Sequence, residues 1–93
     1  MAITKEQKEL LTVFKILTNA HKLAILSFLK KRKSAPVGEI ADNIGASFKT
    51  TSKYLMRLAN KRILERHYDG PFVRYKISAN LPESARLIVS NLL

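Results

Sequence analysis

Apolar residues recur at helical spacing through the first third of the chain. Between residues 4 and 19, Leu10, Phe14 and Leu17 return every three or four positions while charged side chains fall mostly elsewhere, which predicts an amphipathic first helix. Between residues 20 and 33, apolar side chains surround most of the helix instead. A helix with that distribution is covered on several sides, so we predict that it forms the centre of the core.

A break and a tight turn separate the next two predicted helices. Pro36 interrupts the second helix and opens a third over the stretch PVGEIADNIG. Gly45 suits the left-handed conformation that ends a helix, and Ser47 suits the N-cap that starts the next one. Two helices joined by so short a glycine-containing turn are typical of a helix-turn-helix.

The fourth predicted helix has two contrasting faces. Thr51, Leu55 and Leu58 share one side, which we expect to pack on the core. The other side carries short hydroxyl side chains and a cation at every fourth position, beginning with Lys49 and Lys53. Like charges at this spacing repel one another in an isolated helix, whereas cations and hydroxyls both suit phosphate oxygens and base edges. The pattern therefore predicts an anionic partner.

After the fourth helix the hydrophobic pattern changes to alternation. Residues 63–68 and 72–77 are predicted to be two antiparallel strands, with Gly70 in the turn between them. One face of this hairpin can extend the core. Arg74 and Lys76 are then expected to point outward beside the hairpin tip.

A last helix is predicted over residues 81–93, with Pro82 in its first turn. The fold class is therefore mainly α with a small β-hairpin, in the order α-α-α-α-β-β-α. The length of 93 residues fits one domain that spans residues 1–93, because a chain of this size has no room for a second core.

The charge balance indicates what kind of partner to expect. Seventeen Lys and Arg against seven Asp and Glu give a net charge of +10, which favours polyanions: nucleic acid first and an acidic membrane surface second. The chain has no paired carboxylates at useful spacing, no nucleophile beside a base and no phosphate-cradling glycine loop. We therefore expect a protein that is not an enzyme.

Cysteine and hydropathy bear on the compartment. The absence of cysteine removes disulfides, thiolate metal sites and a cysteine nucleophile, and it is compatible with a reducing cytosol. The stretch MAITKEQKEL lacks the apolar core of a signal peptide, and no apolar run approaches the roughly 18 residues of a membrane span. We expect a soluble protein without a membrane partner, located in the cytoplasm and associated with the nucleoid.

Three stretches resemble the ArsR-type family of dimeric bacterial and archaeal repressors. LTNAHKLAILSFL is similar to the family's second helix, IADNIGASFKTTSKYLMRLANKRILER to its helix-turn-helix and the start of its wing, and GPFVRYKIS to the returning wing strand. The resemblance covers residues 10–78. It implies a winged helix-turn-helix that binds double-stranded DNA as a homodimer and represses transcription by occupying an operator.

The resemblance also implies a set of DNA contacts on the fourth helix and the wing: Ser47, Lys49, Thr50, Ser52, Lys53, Arg57, Arg74 and Lys76. Phe48, Tyr54 and Arg66 lie on the same helix and wing and complete the set of candidate DNA contacts.

Three residues of the fourth helix leave alternatives open, and a fourth departs from the family. Phe48 either packs against the third helix or contacts bases, and Tyr54 either reaches a phosphate or covers the helix flank. Met56 either touches a thymine methyl group or is an adaptable, partly buried side chain that fills a gap in packing. Thr51 stands where the family usually has an apolar residue, and we expect it to be a half-buried substitute.

The resemblance implies that the first and last helices form the dimer interface. Their apolar stripes also exceed what a compact monomer of this size readily covers, although both could instead pack only on their own domain. The candidate interface residues are Leu10, Phe14, Leu81, Ala85, Ile88, Val89 and Leu92.

Metal sensing does not carry over from the family. The cysteine pair of its third helix is absent from VGEIADNI, and PESARLIVSNLL lacks the His and Asp arrangement of its other sensor site. His21 and His67 lie far apart with no ligand spacing around either. We expect no metal and no cofactor, with a surface or capping role for His21 and an exposed position for His67.

Two other functions fit a winged helix. A protein-interaction module would present an apolar face on the fourth helix, but the predicted face is cationic and hydroxylated. An RNA-binding module would present a platform of aromatic side chains, but the few aromatic residues are mostly assigned to the core or to helix flanks.

Overall fold

The computed structural model describes residues 2–93, except for the side chain of Leu92. The elements along the chain are α1 (Lys5–Leu17), α2 (Ala20–Arg32), β1 (Ser34–Pro36), α3 (Val37–Ile44), α4 (Phe48–Asn60), β2 (Leu64–Asp69), β3 (Phe72–Ile77) and α5 (Glu83–Leu87), followed by a π-helical segment (Ile88–Leu92). The predicted fold class, mainly helical with a small sheet, is confirmed.

Local hydrogen bonds start the first two helices. Thr4 is the N-cap of α1, and it forms a reciprocal capping box in which its Oγ1 accepts from the Gln7 amide at 3.1 Å and its own amide donates to Gln7 Oε1 at 2.9 Å. Asn19 is the N-cap of α2, where its Oδ1 accepts from the Lys22 amide at 3.0 Å. Polar residues just before each apolar run therefore determine where both helices begin.

The hydrophobic core is built around α2, as predicted. Ile25 and Leu26 have no exposed surface, and Leu29 on the next turn is 1% exposed. The other helices and the sheet supply the remaining buried apolar side chains, among them Ile40, Leu55, Ile63 and Tyr75. The core thus packs α2 against α4 on one side and against the β2–β3 hairpin on the other.

The sheet has three strands in the order β1-β3-β2, so the prediction of a two-stranded hairpin was incomplete. β1 pairs antiparallel with β3, and Ala35 lies opposite Tyr75 with both side chains buried. Three residues are too few to show an alternating pattern, which is why the sequence did not indicate a strand here. Pro36 is tolerated because β1 is an edge strand, where a missing amide donor breaks no ladder on the outer side.

The last helix differs from the prediction in length and in orientation. α5 begins at Glu83 and continues as the π-helical segment, with α5 against α1 and that segment against α2. Ala85, Ile88 and Val89, which were predicted to lie in a dimer interface, are buried inside the subunit, which leaves little of their surface free to contact a second copy. Leu81 is half-buried, and the Leu92 side chain of the same prediction lies outside the described residues.

A lysine of α2 holds the C-terminal segment in place. Lys30 Nζ donates to the backbone carbonyls of Val89 and Leu93, both at 2.7 Å. Carbonyls at a helix C-terminus lack intrahelical donors and carry partial negative charge, so a lysine ammonium is a suitable partner. Part of the cationic run at the end of α2 therefore has a structural use within the domain.

Within residues 2–93, no single helix is long and apolar enough to cross a membrane. The successive helices α1 and α2 have sufficient length and apolar composition only when taken together, and they are bent by 88° at the break between them.

Candidate nucleic-acid interface

The turn between α3 and α4 sets the position of the candidate recognition helix, α4. Gly45 ends α3 with a left-handed φ of 69°, and Ser47 then caps α4 by accepting from the Thr50 amide at 3.1 Å. The predicted helix-turn-helix and both of its capping residues are confirmed. Leu55 and Leu58 hold the apolar face of α4 in the core. The opposite face is therefore oriented outward by packing as well as by the turn.

The outward face of α4 carries cations without internal partners. Lys49, Lys53 and Arg57 are exposed, and Thr50 and Ser52 beside them are half-buried. In the part of the chain that the structure describes, the ion pairs are those of Arg32 with Glu39 and of Arg74 with Asp69, so none involves α4. The mutual repulsion of these cations is not relieved by an acidic residue, which leaves the face suited to an external anion.

Phe48 stands at the start of α4 with 63% of its surface exposed. It lines a groove of about 510 Å³ between α4 and the wing, the β2–β3 hairpin, and the groove's lining includes Val37 of α3, Met56 and Phe72. With most of its surface exposed, Phe48 does not pack fully against α3, the first of its two open alternatives. Met56 is 47% exposed, so it is partly buried in this groove, and both of its alternatives stay open.

Tyr54 of α4 contacts two residues at the beginning of α2. Its hydroxyl accepts a hydrogen bond from Asn19 Nδ2 at 3.4 Å, and its ring lies 5.5 Å from that of His21, measured between centroids. Both contacts favour a side chain that covers the flank of α4 over one that extends freely toward a phosphate. His21 is half-buried in this contact and joins α2 to α4.

Thr51 is fully buried rather than half-buried, which corrects the prediction. It has no exposed surface, and its Oγ1 has no hydrogen-bond partner among the described residues. The side chain has nearly the shape of the valine that would fit an apolar position, so packing is satisfied while the hydroxyl is not. Thr51 is therefore a packing residue of α4 and has no access to a ligand.

The wing presents fewer free cations than predicted. Arg74 turns toward β1, where its Nη2 donates to the Ser34 carbonyl at 3.2 Å and its Nε to Ser34 Oγ at 3.3 Å. The Arg74 Nη1 atom also lies 3.9 Å from Asp69 Oδ2, which makes an ion pair. Arg74 thus fastens the edge strand instead of pointing outward, because β1 places polar groups next to it. Arg66 and Lys76 are exposed, as expected for wing contacts.

Two exposed aromatic residues at the wing tip were missed by the sequence reasoning. Tyr68 is 72% exposed and Phe72 is 60% exposed, with the Arg66 guanidinium 6.0 Å from the Tyr68 ring centre. The signal was present, because Phe72 alternates with the inward-facing Val73 in the predicted strand. Tyr68 and Phe72 are therefore exceptions to the expectation that the aromatic residues lie mostly in the core or on helix flanks.

Glu65 connects the wing to the segment that leads into α5. The Ala79 amide donates to Glu65 Oε2 at 2.6 Å, and this hydrogen bond lowers the pKa of the Glu65 carboxyl below its ordinary value of 4.5. Desolvation of the carboxyl opposes this effect, while the charge of Lys76, directly opposite in the strand pair, adds to it. Glu65 is thus a structural carboxylate, and it offsets part of the positive charge of the wing.

No group of three or more His, Cys, Asp and Glu side chains that could hold a metal ion occurs among the described residues.

The order of elements and the α3–α4 turn define a winged helix-turn-helix. AntR, an antimony-specific transcriptional repressor, is 29% identical, with 99% of this chain and 82% of AntR covered and a TM-score of 0.76. Mb0332 from Mycobacterium bovis is a possible ArsR-family regulator, solved as a homodimeric winged helix-turn-helix DNA-binding domain. It is 27% identical to this chain, and the match covers 97% of this chain and 85% of the Mb0332 domain with a TM-score of 0.72. These neighbours confirm the resemblance to ArsR-type winged-helix transcriptional regulators.

Other structural neighbours share the fold at lower identity. HlyU from Vibrio cholerae is 20% identical with a TM-score of 0.77, covering 95% of this chain and 91% of its own. No family model matches the sequence, and no curated protein sequence matches it significantly.

Proposed function

We propose that the protein is a homodimeric transcriptional regulator that binds double-stranded DNA in a sequence-specific manner and represses by occupying an operator. The observation that supports this most directly is the unpaired cationic and hydroxyl face of α4, exposed on a helix-turn-helix. A helix of this kind enters the major groove, where cations contact phosphates and hydroxyls contact phosphates or base edges.

Specificity for sequence is supported by the start of α4. Ser47, Phe48 and Lys49 lie at the N-terminal end of the helix, the end that most often approaches base edges in helix-turn-helix proteins. Phe48 offers an apolar edge to the 5-methyl group of thymine, and Lys49 offers a donor to guanine. This combination distinguishes base pairs, whereas phosphate contacts alone do not.

Dimerisation is supported by the exposed face of α1. Leu10, Leu11 and Phe14 are each about half exposed, at 53%, 47% and 57%. Three large apolar side chains in two turns of one helix form a surface that is costly to leave in water and suited to a second copy of the chain. The Mb0332 domain, with the same fold, is homodimeric. With α5 turned inward, we assign the main contact to α1.

The proposal is tested by titrating a fluorescently labelled random-sequence duplex at several salt concentrations, with single-stranded RNA of equal length as competitor. We expect duplex binding that falls linearly in log salt and resists the RNA. Lys49→Gln and Lys53→Gln should each lower the salt slope by about 1, while Lys31→Gln, an exposed change of the same charge on α2, should not. Weak duplex binding even at low salt would contradict the proposal.

A second function is favoured by one observation. Phe48, Tyr68 and Phe72 are exposed around α4 and the wing, and bases of single-stranded nucleic acid stack on such side chains. RNA that displaces the duplex completely, and a loss of RNA binding in Tyr68→Ala, would support a single-strand binder instead. Selection of an operator from a random duplex pool would then fail to enrich any sequence.

A further inference from the structure

A cavity of about 430 Å³ lies where α1, α2 and α4 meet, and four cationic side chains line it. These are Lys15 of α1, Lys22 of α2, Arg57 of α4 and Lys61, which follows α4. Of these four cations, only Arg57 belongs to the proposed DNA-binding set.

Apolar residues form the floor of this cavity. Ile16, Leu58 and Ile63 line it and are 1%, 2% and 1% exposed. Charges above an apolar floor are less well screened than charges on an open surface, since water covers only one side of them. Repulsion among the four cations is therefore greater here than at ordinary surface sites, and so is their attraction for an anion.

No acidic residue lines the cavity. In the described part of the chain, no ion pair or side-chain hydrogen bond occupies Lys15, Lys22, Arg57 or Lys61. By contrast, Lys30, Arg32 and Arg74 have carbonyl or carboxylate partners within the domain. The four cations that converge on one cavity thus differ from those whose charge the fold itself uses.

We propose that this cavity binds a phosphate group. Its donors fit that chemistry, because a guanidinium forms two parallel hydrogen bonds to phosphate oxygens while lysine ammonium groups supply compact charge. Thr12 and Asn60 also line the cavity as neutral polar groups. The phosphate belongs either to the DNA backbone, in which case the inference rests on the proposed function, or to a free phosphorylated small molecule.

The first arm of the test uses the full chain without DNA. Thermal unfolding is followed in sodium pyrophosphate and in sodium chloride of matched ionic strength. If the source is a free phosphate, the midpoint temperature of unfolding rises by roughly 6 to 11 °C at a pyrophosphate concentration ten times its dissociation constant. Lys15→Gln and Lys22→Gln abolish that rise, and Lys31→Gln retains it.

The second arm measures duplex DNA binding as a function of salt for the same variants. If the source is DNA, Lys15→Gln and Lys22→Gln each lower the slope of log affinity against log salt by about 1, and Lys31→Gln leaves it unchanged. An effect in either arm supports the site and identifies the source. The inference is overturned when pyrophosphate acts no differently from chloride and both cavity variants bind DNA as Lys31→Gln does.

The two arms also separate this inference from the proposed function. A chain that responds to pyrophosphate through Lys22 but binds no duplex retains the phosphate site and loses the function as a DNA-binding regulator. A chain that responds to pyrophosphate no differently from chloride, and whose duplex affinity depends on Lys49 and Lys53 but not on Lys15 or Lys22, retains the function and loses the site.

Discussion

Asn19 Nδ2 donates a hydrogen bond to the Tyr54 hydroxyl at 3.4 Å, and this contact joins the first residue before α2 to the middle of α4. The same Asn19 side chain uses its Oδ1 to cap α2. Both polar atoms of one amide are thereby occupied, so the amide has a defined orientation. The candidate recognition helix is tied to the central core helix by a polar contact in addition to its apolar face.

Tyr54→Phe separates the two roles considered for this tyrosine. The variant loses the acceptor for Asn19 but keeps the ring, so the free energy of unfolding should fall by less than about 1 kcal/mol. Asn19→Ala should cost about 1 kcal/mol or more, because it also removes a helix cap. Urea unfolding measures both. If Tyr54→Phe leaves stability unchanged and weakens duplex binding tenfold, the hydroxyl contacts a phosphate and our assignment to the helix flank is wrong.

Thr51→Val should stabilise the protein. The change keeps the shape of a fully buried side chain and removes a hydroxyl that has no partner, so the free energy of unfolding should rise by about 1 kcal/mol. Thr50→Val is the matched control, since Thr50 is half-buried and should change stability by less than about 0.5 kcal/mol. A Thr51→Val variant that is no more stable than the parent would show that the hydroxyl has a partner.

The helix-turn-helix could be predicted from sequence because its signals are local. Gly45 and Ser47 determine the turn through their own backbone preferences, and the apolar positions of α4 follow a regular period. The role of Arg74 is not local. Its position between Ser34 and Asp69 depends on the pairing of β1 with β3, which brings together residues 40 positions apart.

For a related reason, the sequence does not show which surface the apolar face of the last helix covers. Helical spacing shows that Ala85, Ile88 and Val89 share a face, but it does not show whether that face covers its own domain or a second copy. Tertiary packing against α1 and α2 decides this. Likewise, no pattern indicates the cavity cations, because Lys15, Lys22 and Lys61 come from three separate segments of the chain.

Stability should depend on pH through Glu65. Its lowered pKa means that the folded protein keeps the carboxylate at pH values where the unfolded chain already binds a proton. The contribution is complete above the ordinary pKa of 4.5 and is lost as the pH falls through the lower folded value. Between about pH 5 and pH 3, Glu65→Gln should therefore lose less stability than the parent in urea unfolding. Parallel loss in both proteins would exclude this linkage.

Phe14→Glu should convert the proposed dimer to monomers. Phe14 is 57% exposed on the apolar face of α1, and a carboxylate there would have to lose its hydration in a contact with a second copy. Sedimentation velocity over a range of concentrations measures the outcome. Lys8→Glu, an exposed change on the same helix, should leave the dimer intact. A dimer that survives Phe14→Glu but dissociates in Leu87→Glu would place the interface on α5, where Leu87 is 62% exposed.

Phe48 should make the protein sensitive to thymine methyl groups. With an operator selected from a duplex pool, replacing single thymines by deoxyuridine removes only the 5-methyl group from the major groove. At the thymine that Phe48 contacts, this should weaken binding by roughly 1 kcal/mol, about the effect of losing one methyl contact with an apolar side chain.

The matched measurement repeats the series with Phe48→Ala. This variant should bind the thymine and deoxyuridine duplexes equally at that position and should retain the salt slope of the parent, because no charge is removed. Met56→Ala tests whether the other exposed apolar residue of α4 accounts for the effect, since Met56 lines the same groove. If Phe48→Ala still discriminates thymine from deoxyuridine at every position, the exposed ring at the start of α4 does not contact a base.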